Sequence, residues 1–321
     1  AIGAMNIEQF FAGLYGHTDI NFDPMSAGRQ MGGHFATHSL DENGNWNNLT
    51  AQKNSSADIS PTAGQMPRLL GLAQASKIFR NVKGLEKHTN FSNEGNEVAW
   101  GTIGNASTSE GLFFETINAA GVLQVPMVMS VWDDEYGISV HARYQTTKEN
   151  ISEILKGFQR EEDTNGYEIL RVKGWDYPAL VETYQKASKI ARTEHVPVLV
   201  HVNELTQPQG HSTSGSHERY KNADRLAWEA EFDCLAQMRL WMIANNIATE
   251  EELIEIDNTS KKEVLDGKKA AWSAFTTPFK AEQQELVSLL NSIAASSPNK
   301  VFIEKYANDL ASIKEPIRKE I

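Results

Sequence analysis

Two apolar runs limit what this chain can fold into more than any other feature. Residues 126–131 (PMVMSV) and 196–202 (VPVLVHV) are apolar at almost every position and lack the alternation of a strand with one face in water. A strand buried on both faces needs helices above and below it. The chain supplies them: helical patterning runs through 110–123, 151–160 and 177–193, and further strand-like stretches occupy 97–103 and 168–172. Strands alternating with helices predict the α/β class, a parallel sheet flanked by helices. From residue 224 onward only helical patterns remain, at 224–245, 250–270 and 278–294, with no Pro/Gly-rich linker before them. The expected division is an α/β domain over 1–223 and a C-terminal helical extension over 224–321. Upstream, a short helix at 7–15 leads into a polar, Gly-rich stretch from 17 to 60, too long for a simple connection. Its 23–34 portion is dense in glycine and hydrogen-bonding side chains, 40–58 reads as a surface insertion, and a buried helix follows at 66–80.

Composition removes several function classes. A net charge of −12, spread along the chain without a basic patch, argues against nucleic acid as a partner. The single cysteine, Cys234, excludes a disulfide framework and a zinc cluster and suits a reducing compartment. No apolar run approaches the roughly 20 residues that span a bilayer, and the first residues lack the regions of a signal peptide. The expected location is cytoplasmic, or the mitochondrial matrix in a eukaryote, with no membrane partner.

In open parallel sheets, ligands bind beyond the carboxyl ends of the strands. Two such ends are marked here. Gly104-Asn105-Ala106-Ser107-Thr108-Ser109-Glu110-Gly111 offers small residues that let backbone approach a ligand, ahead of a helix whose N–H groups face an anion. Trp132-Asp133-Asp134-Glu135-Tyr136-Gly137 follows the 126–131 run with carboxylates and free carbonyls. Each has a plain reading as well, with Asn105 capping the next helix and Asp134 facing solvent.

Together, GNASTSEGLFFETINAAGVLQVPMVMSVWDDEYGIS resembles the motif of the thiamine-diphosphate enzymes. That motif is Gly-Asp-Gly, then a helix-length spacer, then Asn-Asn. In 2-oxo acid dehydrogenase alpha subunits it continues Ala-Thr-Ser-Glu-Gly and ends Asn-Asn-Gly-Tyr-Ala-Ile-Ser. The resemblance implies the thiamine-diphosphate-binding fold, with Mg²⁺ held by the side chains of Asn105 and Asp134 and the carbonyl of Tyr136. Relative to the family, acid has become amide at Asn105 and amide has become acid at Asp134. Ligand number and charge are kept, as an octahedral Mg²⁺ completed by phosphate oxygens requires. Gly104 and Ala106 flank the first ligand, and Ile138 matches the apolar residue of Tyr-Ala-Ile.

Three further segments agree. Gln209-Gly210-His211-Ser212-Thr213-Ser214, before Arg219-Tyr220, resembles the family's Gly-His-Ser-Thr-Ser loop, whose histidine serves reductive acylation; His211 is the implied catalytic residue and also faces the cofactor. Ala27-Gly-Arg-Gln-Met31 resembles a segment of the branched-chain enzymes. Ile59-Ser-Pro-Thr-Ala-Gly-Gln-Met-Pro67 resembles their Ser-Ser-Pro-Leu-Ala-Thr-Gln-Ile-Pro, which assigns Ser60 and Thr62 to the aminopyrimidine and the bent cofactor. Departures are Trp132, where an Arg contacts the diphosphate, and Thr62 in place of Leu or Val. The family's leading Tyr-Arg pair has no counterpart before Ala1, so the expectation is a chain that begins inside its domain.

The resemblance implies a decarboxylating component acting on a small 2-oxo acid and reductively acylating the lipoyl domain of an acyltransferase. It also implies a beta-type subunit or fused beta half, which supplies the Glu that activates the cofactor. Two alternatives stay open: another thiamine-diphosphate enzyme of transketolase or acetoin dehydrogenase type, and a non-catalytic alpha-type scaffold.

Overall fold

A computed structural model describes residues 5–29, 36–56, 59–211 and 217–321. In chain order the elements are α1 (Ile7–Tyr15), α2 (Met66–Asn81), β1 (Ala99–Gly104), α3 (Gly111–Leu123), β2 (Met127–Trp132), β3 (Tyr136–Gly137), β4 (Val140–His141), α4 (Ile151–Ile154), β5 (Glu168–Lys173), α5 (Tyr177–Glu194), β6 (Val198–Asn203), α6 (Ala223–Glu231), α7 (Cys234–Ala244), α8 (Glu250–Ala294) and α9 (Lys300–Ser312). They fall into two compact units. The larger comprises Ser39–Asn54 and Asp58–Leu253 and the smaller Ala1–His38, Ser55–Ala57 and Ile254–Ile321.

In the larger unit, β1, β2, β6 and β5 lie side by side in that order, all parallel. The two apolar runs are the central strands, as their lack of alternation requires. Met127, Met129 and Val131 of β2 and Leu199 of β6 point into one cluster with Leu69 and Ala73 of α2 and Phe113 and Ile117 of α3. Val128, Val198, Val200 and Val202 point the other way, against Ala187, Ile190 and Ala191 of α5. Each fully buried side chain of this size contributes about 1.5–3 kcal/mol. Contact is close at β1, where a Cβ on Gly101 would lie 2.5 Å from Leu69 Cδ2.

The smaller unit gathers α1, α9 and all but the first turn of α8. Asn6 and Gln9 close a reciprocal capping box at the start of α1. Asp23 is buried, and its carboxylate accepts the backbone N–H groups of Met25, Ser26 and Gly28 and the Ser26 hydroxyl. Gly28 closes this turn at φ +74°, where a Cβ would lie 2.6 Å from the Gly16 carbonyl oxygen.

Four expected helices differ in extent. The 151–160 helix is α only over Ile151–Ile154 and continues as a 3₁₀ turn, Leu155–Phe158. The 224–245 helix breaks at Phe232-Asp233, because the Asp233 carboxylate accepts the N–H groups of Leu235 and Ala236 and starts a new helix. Conversely, the 250–270 and 278–294 helices are one, running through Pro278. Proline removes one intrahelical donor. The hydroxyls of Thr276 and Thr277 bond the carbonyls of Trp272 and Ser273 in the turn before it. Helix α9 has no sequence expectation behind it: Val301, Phe302 and Tyr306 are exposed, and only Ala307 and Leu310 are buried. Among the described residues no helix is long and apolar enough to cross a membrane.

Tyr167 is 1% exposed, packed in the α2–α3 cluster, and its hydroxyl has no partner among the described residues. An unpaired buried hydroxyl costs about 1–3 kcal/mol. Tyr167→Phe is therefore expected to raise stability by about 1 kcal/mol in denaturant unfolding, whereas Tyr167→Ala is expected to lower it by about 3–5 kcal/mol.

Candidate functional site

The carboxyl ends of β1, β2 and β6 are level, and the chain leaves each in a loop. Gly104 pairs with Trp132 in the β1–β2 register, and Trp132 with Val202 in β2–β6. The pairing persists one residue further. Asn105 N–H donates to the Trp132 carbonyl (3.0 Å), and Asp133 N–H to the Val202 carbonyl (2.9 Å). Thus the two marked sequence ends meet at one sheet edge.

Asn105 is 5% exposed, and its side chain caps no helix. Its backbone carbonyl accepts the Thr108 hydroxyl at 2.6 Å, while its Nδ2 is buried without a partner among the described residues. Against this turn lies the β3–β4 hairpin. A Cβ on Gly137 would stand 2.7 Å from Ala106 Cβ and 2.5 Å from Gln145 Oε1, so only glycine lets the turns approach this closely. Asn105-Ala106 and Tyr136-Gly137 are in direct contact.

The two aspartates of the loop have different surroundings. Asp133 is buried: its Oδ1 accepts the Glu135 N–H (2.8 Å) and its Oδ2 lies 2.9 Å from His201 Nε2. His201 is 0% exposed, and its Nδ1 is 3.0 Å from Ser152 Oγ, which donates to Asn150 Oδ1 at 2.9 Å. Asp134 is half-buried and, among the described residues, accepts one hydrogen bond, from Tyr136 N–H at Oδ1 (3.1 Å). Burial pushes the Asp134 carboxyl above the ordinary carboxylate range; Asp133 adds to this, and the Tyr136 N–H and the Lys221 charge oppose it.

On both sides of Tyr136 the chain is strained. Glu135 and Ile138 adopt φ +68° and +59°, a left-handed conformation that costs a non-glycine residue about 1–3 kcal/mol. Ile138 is 58% exposed, so its apolar face lies open beside the hairpin. Tyr136 is surrounded: its ring centroid lies 5.1 Å from His141, 5.6 Å from Tyr220, 5.0 Å from Lys221 Nζ and 5.5 Å from Arg225 Cζ. Both oxygens of the buried Glu229 accept Lys221 Nζ, at 2.7 and 2.9 Å.

His211 is exposed, and its backbone N–H bonds the Tyr220 phenol oxygen. Its companions Ser212, Thr213 and Ser214 lie outside the described residues, as do Gln30 and Met31. Ser60 and Thr62 are exposed on the turn leading into α2, the helix that packs on β1. The geometry therefore brings together Gly104, Asn105, Ala106, Asp134, Tyr136 and Ile138. Sequence reasoning passed over His201, Ser152, Lys221, Arg225 and Glu229. The signals were present: a histidine inside an otherwise apolar strand, and Arg225 and Glu229 four apart on a helix.

Comparison with known proteins finds relatives over most of the chain. The chain is 27% identical over 241 residues to the 2-oxoisovalerate dehydrogenase subunit alpha 1 of Arabidopsis thaliana, covering 74% of this chain and 45% of that protein. It is 25% identical over 244 residues to the 2-oxoisovalerate dehydrogenase subunit alpha of Bacillus subtilis, covering 76% and 62%. A putative 2-dehydropantoate 2-reductase of Arabidopsis thaliana is 28% identical over 234 residues, covering 70% and 60%. The chain spans about half the length of the curated relatives it matches. The family described as the dehydrogenase E1 component matches residues 2–279, and the chain belongs to that family.

Proposed function

We propose that this chain is the alpha-type part of a 2-oxo acid dehydrogenase, binding thiamine diphosphate through Mg²⁺ at the β1–β2 edge. The observation that carries this reading is the buried, unpartnered Nδ2 of Asn105, on a turn packed against the Tyr136-Gly137 hairpin. A carboxamide so placed has an oxygen suited to a hard cation and N–H groups suited to a phosphate oxygen. Asp134 supplies the negative charge and Tyr136 a carbonyl. An amide oxygen, a carboxylate and a backbone carbonyl make an all-oxygen donor set, of the kind Mg²⁺ takes together with phosphate oxygens.

When bound, the cofactor supplies a carbanion that adds to the 2-oxo carbon and an electron sink for loss of CO₂. This chain's residues supply position and electrostatics. Ile138, Ser60 and Thr62 would support the cofactor rings, Gly104 and Ala106 would admit the diphosphate, and His211 would guide transfer to a lipoyl group. The whole activity requires a beta-type subunit or fused beta half and the lipoyl domain of an acyltransferase. The substrate is a branched-chain 2-oxo acid and the compartment cytoplasmic, or the matrix in a eukaryote. Residues 1–223 carry the cofactor edge and 224–321 form the helical extension.

Calorimetric titration of the chain and its beta-type half with thiamine diphosphate should show binding that requires Mg²⁺ and is abolished by Asp134→Ala; metal-independent binding or none would reject the assignment. Assembled with a lipoyl domain, the protein should turn over 3-methyl-2-oxobutanoate faster than pyruvate, and the reverse order would reject the branched-chain assignment. Asp134 also predicts a pH effect. Its folded-state pKa is raised, so the folded chain holds the proton more tightly and its stability falls as pH rises through the window above the ordinary carboxylate value. Without metal, Asp134→Asn should melt higher than the parent at neutral pH, and the gap should close on acidification toward pH ~4. A gap that is constant with pH would show that the carboxyl carries no such cost.

A further inference from the structure

Among the charged groups around the hairpin, Arg225 makes contacts that a merely solvated surface arginine does not. Its side chain is 16% exposed. Its Nε donates to Glu229 Oε1 (2.8 Å), one terminal nitrogen donates to the Glu135 carboxylate, and the other donates to the Asp134 carbonyl at 2.9 Å. The guanidinium also lies over the rings of Tyr136 and Trp228, 5.5 and 4.7 Å from their centroids. Thus one side chain from α6 touches three consecutive residues of the loop that follows β2: backbone at Asp134, side chain at Glu135, ring at Tyr136.

Those three residues are the ones whose geometry matters if a cation binds there. The Asp134 carboxylate and Tyr136 carbonyl sit on either side of Glu135, which is held at φ +68° without the freedom of glycine. Something must hold that conformation against relaxation. The Asp134 carbonyl, drawn to the guanidinium, is fixed on the side of α6, which sets the peptide planes on which the next carbonyl depends. The Glu135 side chain, paired with the same cation, is kept from the space in front of Asp134. Lysine cannot replace this arrangement, because one ammonium does not span two carboxylates and a carbonyl as a planar fork does. Glu229 anchors the fork from behind, with Lys221 already on both of its oxygens.

We propose that Arg225 is a positioning residue for the metal loop, orienting Asp134 and the Tyr136 carbonyl without itself touching metal or cofactor. This inference rests on the assignment of Asp134 and Tyr136 as metal ligands. Groups that orient metal ligands affect affinity by about ten- to a hundredfold.

The test is titration of Mn²⁺ in the presence of thiamine diphosphate, following the free Mn²⁺ signal by electron paramagnetic resonance, with the chain assembled with its beta-type half. Arg225→Lys and Arg225→Met should weaken Mn²⁺ binding about ten- to a hundredfold, with Arg225→Lys melting close to the parent when metal-free. Glu135→Gln, at a residue half in solvent, keeps the fold and should weaken binding in the same direction by less. If the parent binds Mn²⁺ and Arg225→Lys and Glu135→Gln both bind it as tightly, Arg225 is not a positioning residue. If the parent itself shows no thiamine-diphosphate-dependent Mn²⁺ binding, the metal-site assignment fails instead.

Discussion

The parallel pairing of β2 between β1 and β6 is the constraint on which the rest of the site depends. Because β2 is hydrogen-bonded on both sides, its end cannot shift without breaking the bonds that Asn105 and Asp133 make to Trp132 and Val202. That register places an amide from one loop and a carboxylate-bearing loop from the next strand at one edge. Gly137 then removes the last obstacle to their contact, since any side chain there would strike Ala106. A shift of one residue would also turn Met127, Met129 and Val131 toward α5 and Val128 toward α2 and α3, which the two core clusters forbid.

The two loops at this edge concentrate costs that a purely structural turn avoids. Two residues with side chains sit at positive φ, one carboxyl is raised by burial, and one buried amide nitrogen has no partner. Against these stand interactions that hold the loop: Asp133 to His201 from within the sheet and Arg225 from α6. Strain and unpaired polar groups kept in place by a well-packed surround mark a site selected for something other than stability.

Much of the fold was legible in the sequence because apolar runs buried on both faces have few alternatives. The central strands lie within a residue or two of their expected places, and the helices on either side do too. Legibility failed where the deciding interactions were local hydrogen bonds or tertiary burial. Asp233 reads as one polar residue in a helix until its carboxylate is seen capping α7; Pro278 reads as a helix start until α8 passes through it. Helix α9 turns its larger apolar side chains outward, so periodicity pointed nowhere. The motif names Asn105, Asp134 and Tyr136, which the fold gathers at one sheet edge, but the groups that hold them come from far along the chain. Nothing in the local sequence of Asp133 names His201 as its partner.

That partner decides which of the two adjacent aspartates is available. Ser152 has one hydroxyl proton, directed at Asn150 Oδ1, which also accepts the Glu153 N–H; its oxygen is thus left to accept from His201 Nδ1–H. The 2.9 Å contact between His201 Nε2 and Asp133 Oδ2 then ties the Asp133 side chain to β6. Asp133 is engaged at both oxygens and turned into the sheet. Asp134 is left as the carboxylate at the edge, beside an amide at Asn105. Of two adjacent acids after β2, only the second is therefore presented at the edge, because a histidine on β6 holds the first in the sheet.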